Sequence, residues 1–235
     1  MREPHKKMDA QLQDDVLREL RWDTRVVETD VGVEVDDGIV TLTGTVASWP
    51  ARLAAQEAAH RVAGVLDVAN DIHVKLPSSS ERTDTDVART VRAALESDLQ
   101  VPHERISTTV SDGVVTLEGN VDYWSEHDDA GRAIRLPGVR EVRNLLTVEP
   151  RAVKVAPETI RAAIDGALER HRPHAAADHI QIAIAEGTVI LSGTVTSWPE
   201  HDAVLGAVRG TRGVKKVDDQ ITIAYAPFRA EHRST

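Results

Sequence analysis

The sequence predicts an α+β protein of three tandem modules, each helix-strand-strand-helix-strand with its helices on one face of a small mixed sheet. Three observations carry this. GIVTLTGTVASW (Gly38 to Trp49), GVVTLEGNVDYW (Gly113 to Trp124) and GTVILSGTVTSW (Gly187 to Trp198) are copies of one segment at offsets of 75 and 74 residues. A second landmark recurs behind each copy, at Gly64-Val65-Val68, Gly138-Val139-Val142 and Gly213-Val214-Val217. Within every copy the spacing of apolar residues passes from the helical to the strand period in the same order.

Each unit opens on a helix, with apolar residues at i, i+4, i+8: Leu12, Val16, Leu20; then Val87, Val91, Leu95; then Ile160, Ile164, Leu168. Alternation follows at Val31, Val33, Val35, at Ile106, Thr108, Val110 and at Ile180, Ile182, Ile184, the period of a half-buried strand. Asp36-Asp37-Gly38, Ser111-Asp112-Gly113 and Ala185-Glu186-Gly187 are turn signals. Val40, Leu42, Val46 and their counterparts then complete an antiparallel hairpin. Gly44, Gly119 and Gly193 interrupt the second strand at an inward position, where a bulge or a closely crossing helix would leave no room for a side chain.

Ser48-Trp49-Pro50 and Ser197-Trp198-Pro199 mark the entry to a second helix, because proline is tolerated in a first turn. Its small inner face is Ala55, Ala58, Ala59, then Ala130, Ala133, Ile134, then Val204, Ala207, Val208. The last strand runs through Val68, Asn70, Ile72, Val74 and its copies Val142 to Val148 and Val217 to Ile223. Modules are expected at residues 9–76, 82–150 and 156–226, with boundaries at Pro77 to Glu81 and between Pro150 and Pro157. Units of about 65 residues bury only about 60% of their unfolded surface, so the copies are expected to support one another or a partner.

Composition limits the function. Hydrophobic residues at 41% and charged residues at 28% are globular values, while aromatics at 3% leave Val, Ile, Leu and Ala to build the cores. The absence of cysteine excludes disulfide scaffolds, thiol nucleophiles and cysteine-ligated metals. A net charge of −10 opposes broad binding to nucleic acid or to an anionic membrane, leaving only a local basic patch for either. The N-terminus is charged throughout, without the apolar run of a signal peptide, and no stretch reaches the length of a membrane span. A cytoplasmic location is therefore expected, with peripheral membrane attachment left open, and neither a cofactor nor a metal is expected.

The glycine-bounded hairpin followed by Gly-Val-x-x-Val-x-Asn resembles the BON domain, named for bacterial OsmY and nodulation proteins. All three units carry it, from Asp9 to about Ala226, and ELRWD, NDIHVKLP and SERTD give the chain the texture of soluble triple-BON proteins. The third copy departs in having Asp219 where the others have Asn70 and Asn144. The resemblance implies a non-enzymatic binding module associated with phospholipid or membrane surfaces and with osmotic or envelope stress. The competing reading is a protein–protein scaffold or oligomerising stress protein that binds no lipid, with exposed sheet edges as its surface. Homo-oligomers belong to that reading, and neither involves nucleic acid.

Candidate binding residues follow from what recurs and what does not. Trp49, Trp124 and Trp198 occupy one strand-to-helix corner in the three copies, as lids on the core or as anchors for a lipid interface or partner pocket. Identical occupancy favours the lid. Trp22 has no counterpart and is a contact between units or with a partner. Residues 154–235 hold as many basic as acidic side chains, ten of each, and there Arg209, Arg212, Lys215 and Lys216 cluster where the second helix ends. They suit either a helix C-terminus or an anionic surface.

Other motifs read as ordinary structure. Gly210-Thr211-Arg212-Gly213 has the G-x-x-G of an RNA-clamping loop, but a strand should follow it here and the other copies lack it. His171, His174, Asp178 and His179 form a solvated loop interrupted by Pro173, and the acid pairs Asp36-Asp37 and Asp128-Asp129 lie in a turn and on a helix rim. Neither a G-x-S-x-G elbow nor a P-loop is found, and no reactive constellation recurs, so catalysis is not expected.

Overall fold

Each module is organised around a two-residue turn that forces its hairpin. In the computed structural model, which describes residues 3–77, 82–150, 155–170 and 180–224, Asp37 and Gly38 both have positive φ, at 48° and 80°. Asp112 and Gly113, and Glu186 and Gly187, repeat this. Two successive positive-φ residues make the turn whose twist matches that of paired strands. The helix before the hairpin pins it: the Asp9 carboxylate accepts the N–H groups of Asp37 and Gly38 at 3.3 and 3.1 Å, and Asp84 accepts those of Asp112 and Gly113 at 2.9 Å each.

Module 1 comprises α1 (Glu3–Trp22), β1 (Val31–Asp36), β2 (Ile39–Val46), α2 (Trp49–Arg61) and β3 (Asp67–Val74). Module 2 comprises α3 (Asp84–Ser97), β4 (Ile106–Ser111), β5 (Val114–Val121), α4 (Trp124–Ala133), β6 (Glu141–Asn144) and β7 (Thr147–Val148). Module 3 comprises α5 (Pro157–Arg170), β8 (Ile180–Ala185), β9 (Thr188–Val195), α6 (Trp198–Arg209) and β10 (Lys216–Ile223). The hairpin strands pair antiparallel, and the last strand adds parallel to the second, so each sheet is mixed. In module 2 that last strand is divided. The N–H of Leu145 still reaches the Leu117 carbonyl at 2.9 Å, so the pairing resumes at Thr147 without a change of register.

The expected cores form on one face of each sheet. Val16 and Leu20 from α1, Val40 and Leu42 from β2, and Ala55, Ala58 and Ala59 from α2 are fully buried, as are Val91, Leu95, Val115, Leu117, Ala130 and Ile134 in module 2. Ile164, Val189, Leu191 and Val208 do the same in module 3. Alanines on α2 let that helix lie against the sheet, while the threonines of β2 face away from the core.

Gly44 and Gly119 have a cause other than a bulge or a crossing helix. Gly44 pairs with Val31 in an unbroken ladder at φ +122°, and a Cβ there would overlap the Asp30 carbonyl oxygen. Gly119 stands in the same relation to the Arg105 carbonyl, at φ +130°. The crowding comes from the chain entering the first strand of the hairpin.

Candidate functional site

The recurring tryptophans begin the second helix of each module. Ser48 caps α2 by accepting the Ala51 N–H at 3.3 Å, with Pro50 in the first turn. In α4 and α6 a glutamate two residues after the tryptophan turns back: Glu126 accepts the N–H groups of Asp122 and Tyr123, and Glu200 accepts the N–H and hydroxyl of Thr196 at 2.6 and 2.8 Å. Helix starts fixed in this way hold all three indoles half-buried.

One helical turn on, each indole meets a side chain of its own module. The Arg52 guanidinium lies 5.3 Å from the Trp49 ring centroid, the His127 ring 5.1 Å from that of Trp124, and the His201 ring 5.0 Å from that of Trp198. The same side chains lie over the last strand. Asn70 donates to the Arg52 carbonyl and to Gln56, and Asn144 to the His127 carbonyl at 2.8 Å. Asp219, the departure in copy three, has no amide to donate. Its carboxylate instead takes the His201 imidazole at 2.8 Å, so the substitution is matched by a partner on α6.

The opposite end of the same helix serves the neighbouring module. Eleven residues after each tryptophan stand His60, Arg135 and Arg209; His60 and Arg209 are about three turns away on the same helix face, while Arg135 follows the end of α4 at Ala133. Arg209 of module 3 lies over Trp124 of module 2 at 4.9 Å, beside Arg212 over Tyr123 at 5.9 Å. His60 of module 1 stacks on Trp198 of module 3, with centroids 4.1 Å apart and planes at 14°. Trp124 packs against the cores of modules 2 and 3, and Trp198 against the core of module 1. Such head-to-tail contacts close a ring when the rotation allows it, and the order here is 2 on 3, 3 on 1, with Trp49 of module 1 facing α4 of module 2 across a groove. Burial leaves the Trp124 and Trp198 indole N–H groups unbonded.

The two histidines at Trp198 titrate in opposite directions. Burial pushes the His60 imidazole below its ordinary value, against the pull of Asp202 and Asp67. Asp202, then Asp219, raise His201 above its ordinary value, with burial opposing them.

Trp22 lies elsewhere. It ends α1 and is 84% exposed, so no other unit covers it among the described residues. Its loop is held beneath by Asp23, only 7% exposed at the side chain, which accepts from Arg25 at 2.7 Å and Arg61 at 2.8 Å. Arg25 holds the Asp23 carboxyl well below the usual carboxylate range, and Arg61 adds to the effect. Val27 in the same loop is 60% exposed, and Leu99 in the equivalent loop of module 2 is 100% exposed.

Of the four clustered cations, Arg209 and Arg212 cover aromatic rings at the seam between modules 2 and 3, while Lys215 and Lys216 face solvent. The histidines at 171, 174 and 179 and Asp178 lie outside the described residues. Asp9, Asp36 and Asp37 bring carboxylate oxygens within 4.8 Å of one another. Asp9 is already engaged by the turn amides, so the cluster follows from pinning the hairpin. His60 and Arg135 are absent from the sequence-based candidates, although their spacing from the tryptophans was the available signal.

Comparison with known proteins places these features. The BON domain profile matches residues 8–75, 83–150 and 157–225. The Osmotically-inducible protein Y of Escherichia coli (strain K12) is 32% identical over 124 residues, which is 51% of this chain and 62% of that protein. The match thus spans less than two thirds of that relative. Among solved structures, CdsD, a structural protein of the type III secretion system of Chlamydia trachomatis, aligns over 92% of this chain and 94% of its own at 13% identity and a TM-score of 0.26. The PrgH periplasmic domain aligns over 89% and 98% at 10% identity and a TM-score of 0.21. With the profile matching three times across most of its length, the chain belongs to the BON domain family.

Proposed function

We propose that this protein is a non-enzymatic binding protein of the osmotic or envelope stress type, attaching to phospholipid surfaces through its tandem BON modules. The observation that carries the reading is Trp22. An indole left 84% exposed in a chain with four tryptophans is the side chain suited to a headgroup interface, where its ring meets acyl chains and its N–H meets water. Val27 beside it and Leu99 on module 2 extend the apolar contact to the same loop of a second module. Lys215 and Lys216 remain exposed for anionic headgroups, at about 1 kcal/mol each near an acidic leaflet. Linked modules add weak contacts into one useful attachment. No helix among the described residues is long and apolar enough to cross a membrane, so this attachment is peripheral.

Flotation of the full chain with liposomes tests the proposal. The protein is expected to float with vesicles containing anionic lipid, to lose at least fivefold of that recovery in Trp22→Ser, and to lose it progressively with salt. Lys215→Glu with Lys216→Glu should abolish the anionic preference. No flotation at any composition favours the scaffold reading, in which exposed strands such as β1 at the edge of its sheet pair with another chain.

A further inference from the structure

Among the described residues, two of the three inter-module positions are filled by the protein itself, and the third is not. Arg209 covers Trp124, and His60 covers Trp198. Arg135 holds the equivalent sequence position but does not lie over the Trp49 ring among the described contacts, and Trp49 is packed against none of the three cores. What remains between modules 1 and 2 is an open groove of about 390 Å³, lined among others by Trp49, Leu53, Asp128, Arg132, Arg135 and Asn144.

We propose that this groove is a binding site for a small ligand that carries a flat ring and an anionic group, carboxylate or phosphate. The ring belongs over Trp49. Arg52 covers one side of that indole and is fixed there by its bond to the Asn70 carbonyl at 2.7 Å, while the indole also lines the groove. At the other two seams the protein places a planar nitrogenous group on the equivalent indole, which shows the kind of body this surface accepts.

The anion's place is set by the one rim guanidinium outside an ion pair. Arg132 is paired with Asp129, while Asp128 is hydrogen-bonded to the His127 ring at 2.9 Å and keeps its own charge on the rim. Arg135 is exposed and has no carboxylate partner among the described residues, so one guanidinium is left to take an anion in its bidentate geometry. A flat ring stacked on Trp49 would carry its acidic group to that fork. The site does not depend on membrane attachment, since its residues are distinct from Trp22, Lys215 and Lys216.

Adenosine 5′-monophosphate and salicylate are suitable probes, read on the full chain in solution by the indole N–H resonances. Trp49→Phe identifies the Trp49 signal by its loss. Both probes are expected to shift that signal saturably, leaving those of Trp124 and Trp198 in place. Adenosine, a ring without the charge, and inorganic phosphate, a charge without the ring, should each bind at least tenfold more weakly than the nucleotide. Arg135→Gln, an exposed change that disturbs no core, should weaken both probes at least tenfold. The proposal is overturned if neither probe moves the Trp49 resonance, or if the shift survives Arg135→Gln unchanged. Because no vesicle is present, that result leaves the flotation experiment to decide membrane attachment separately.

Discussion

The Trp198 indole and the His60 imidazole lie in a parallel stack 4.1 Å between centroids, joining the first helix turn of α6 to the last turn of α2 and so module 3 to module 1. His201 stands edge-on to the same indole, so among the described residues this seam alone sets two imidazoles against its tryptophan. Where module 3 meets module 2, the covering residue is an arginine.

That difference makes the seam between modules 3 and 1 sensitive to pH. A lowered His60 value stabilises the fold above its ordinary 6.5, and the contribution is lost as pH falls through the folded value. A raised His201 value stabilises below 6.5, and that contribution is lost as pH rises through its folded value. The two limbs together predict a stability maximum near 6.5. Denaturation midpoints from pH 5 to pH 8 (roughly the window of an imidazole) should show it. His60→Arg, which restores the side chain found at the equivalent seam, should flatten the acid limb, and His201→Gln the alkaline one. A monotonic profile in the wild type would contradict the assignment.

Gly44→Ala and Gly119→Ala should each be severe. The new methyl would overlap a backbone carbonyl, and the positive φ adds strain that no side-chain movement relieves. A loss of about 3 kcal/mol or more in urea unfolding is expected. Gly206→Ala, where a Cβ meets nothing within 4 Å, is the control and should be neutral or slightly stabilising.

Asp23 ties the loop behind Trp22 to α2. Asp23→Asn removes the charge that Arg25 and Arg61 share and should cost on the order of 2 kcal/mol. Its folded carboxyl lies below the ordinary 3.8, so the contribution is present above that value and is lost on acidification beneath it. Wild type and variant should therefore converge in stability in strong acid, as measured by circular dichroism against denaturant.

Residues 82–150 expressed alone keep their own core but lose Arg209 and the module 3 surface from Trp124. Re-exposing that indole face should cost about 1–2 kcal/mol and move its fluorescence to longer wavelength. A fragment as stable as the full chain, with unshifted emission, would show that the modules do not support one another.

Most of what lies within a module could be read from residue order alone. The i, i+4, i+8 stripes became α1, α3 and α5, the alternating runs became the hairpins, and Asp-Gly or Glu-Gly marked turns with two positive φ values. These features are local, and their periods are those of the backbone itself. Gly44 was legible as a position without room for a side chain, but its cause was not, because the Asp30 carbonyl reaches it only through pairing across the hairpin.

The seams were settled only in three dimensions. Trp49, Trp124 and Trp198 occupy identical places in the repeat, yet two are covered by a neighbour and one faces a groove, while the unrepeated Trp22 is the exposed one. Repetition specifies a module and therefore its corner tryptophan. How far the end of one helix stands from the next module's indole depends on rigid-body placement, and no period along a chain encodes that distance.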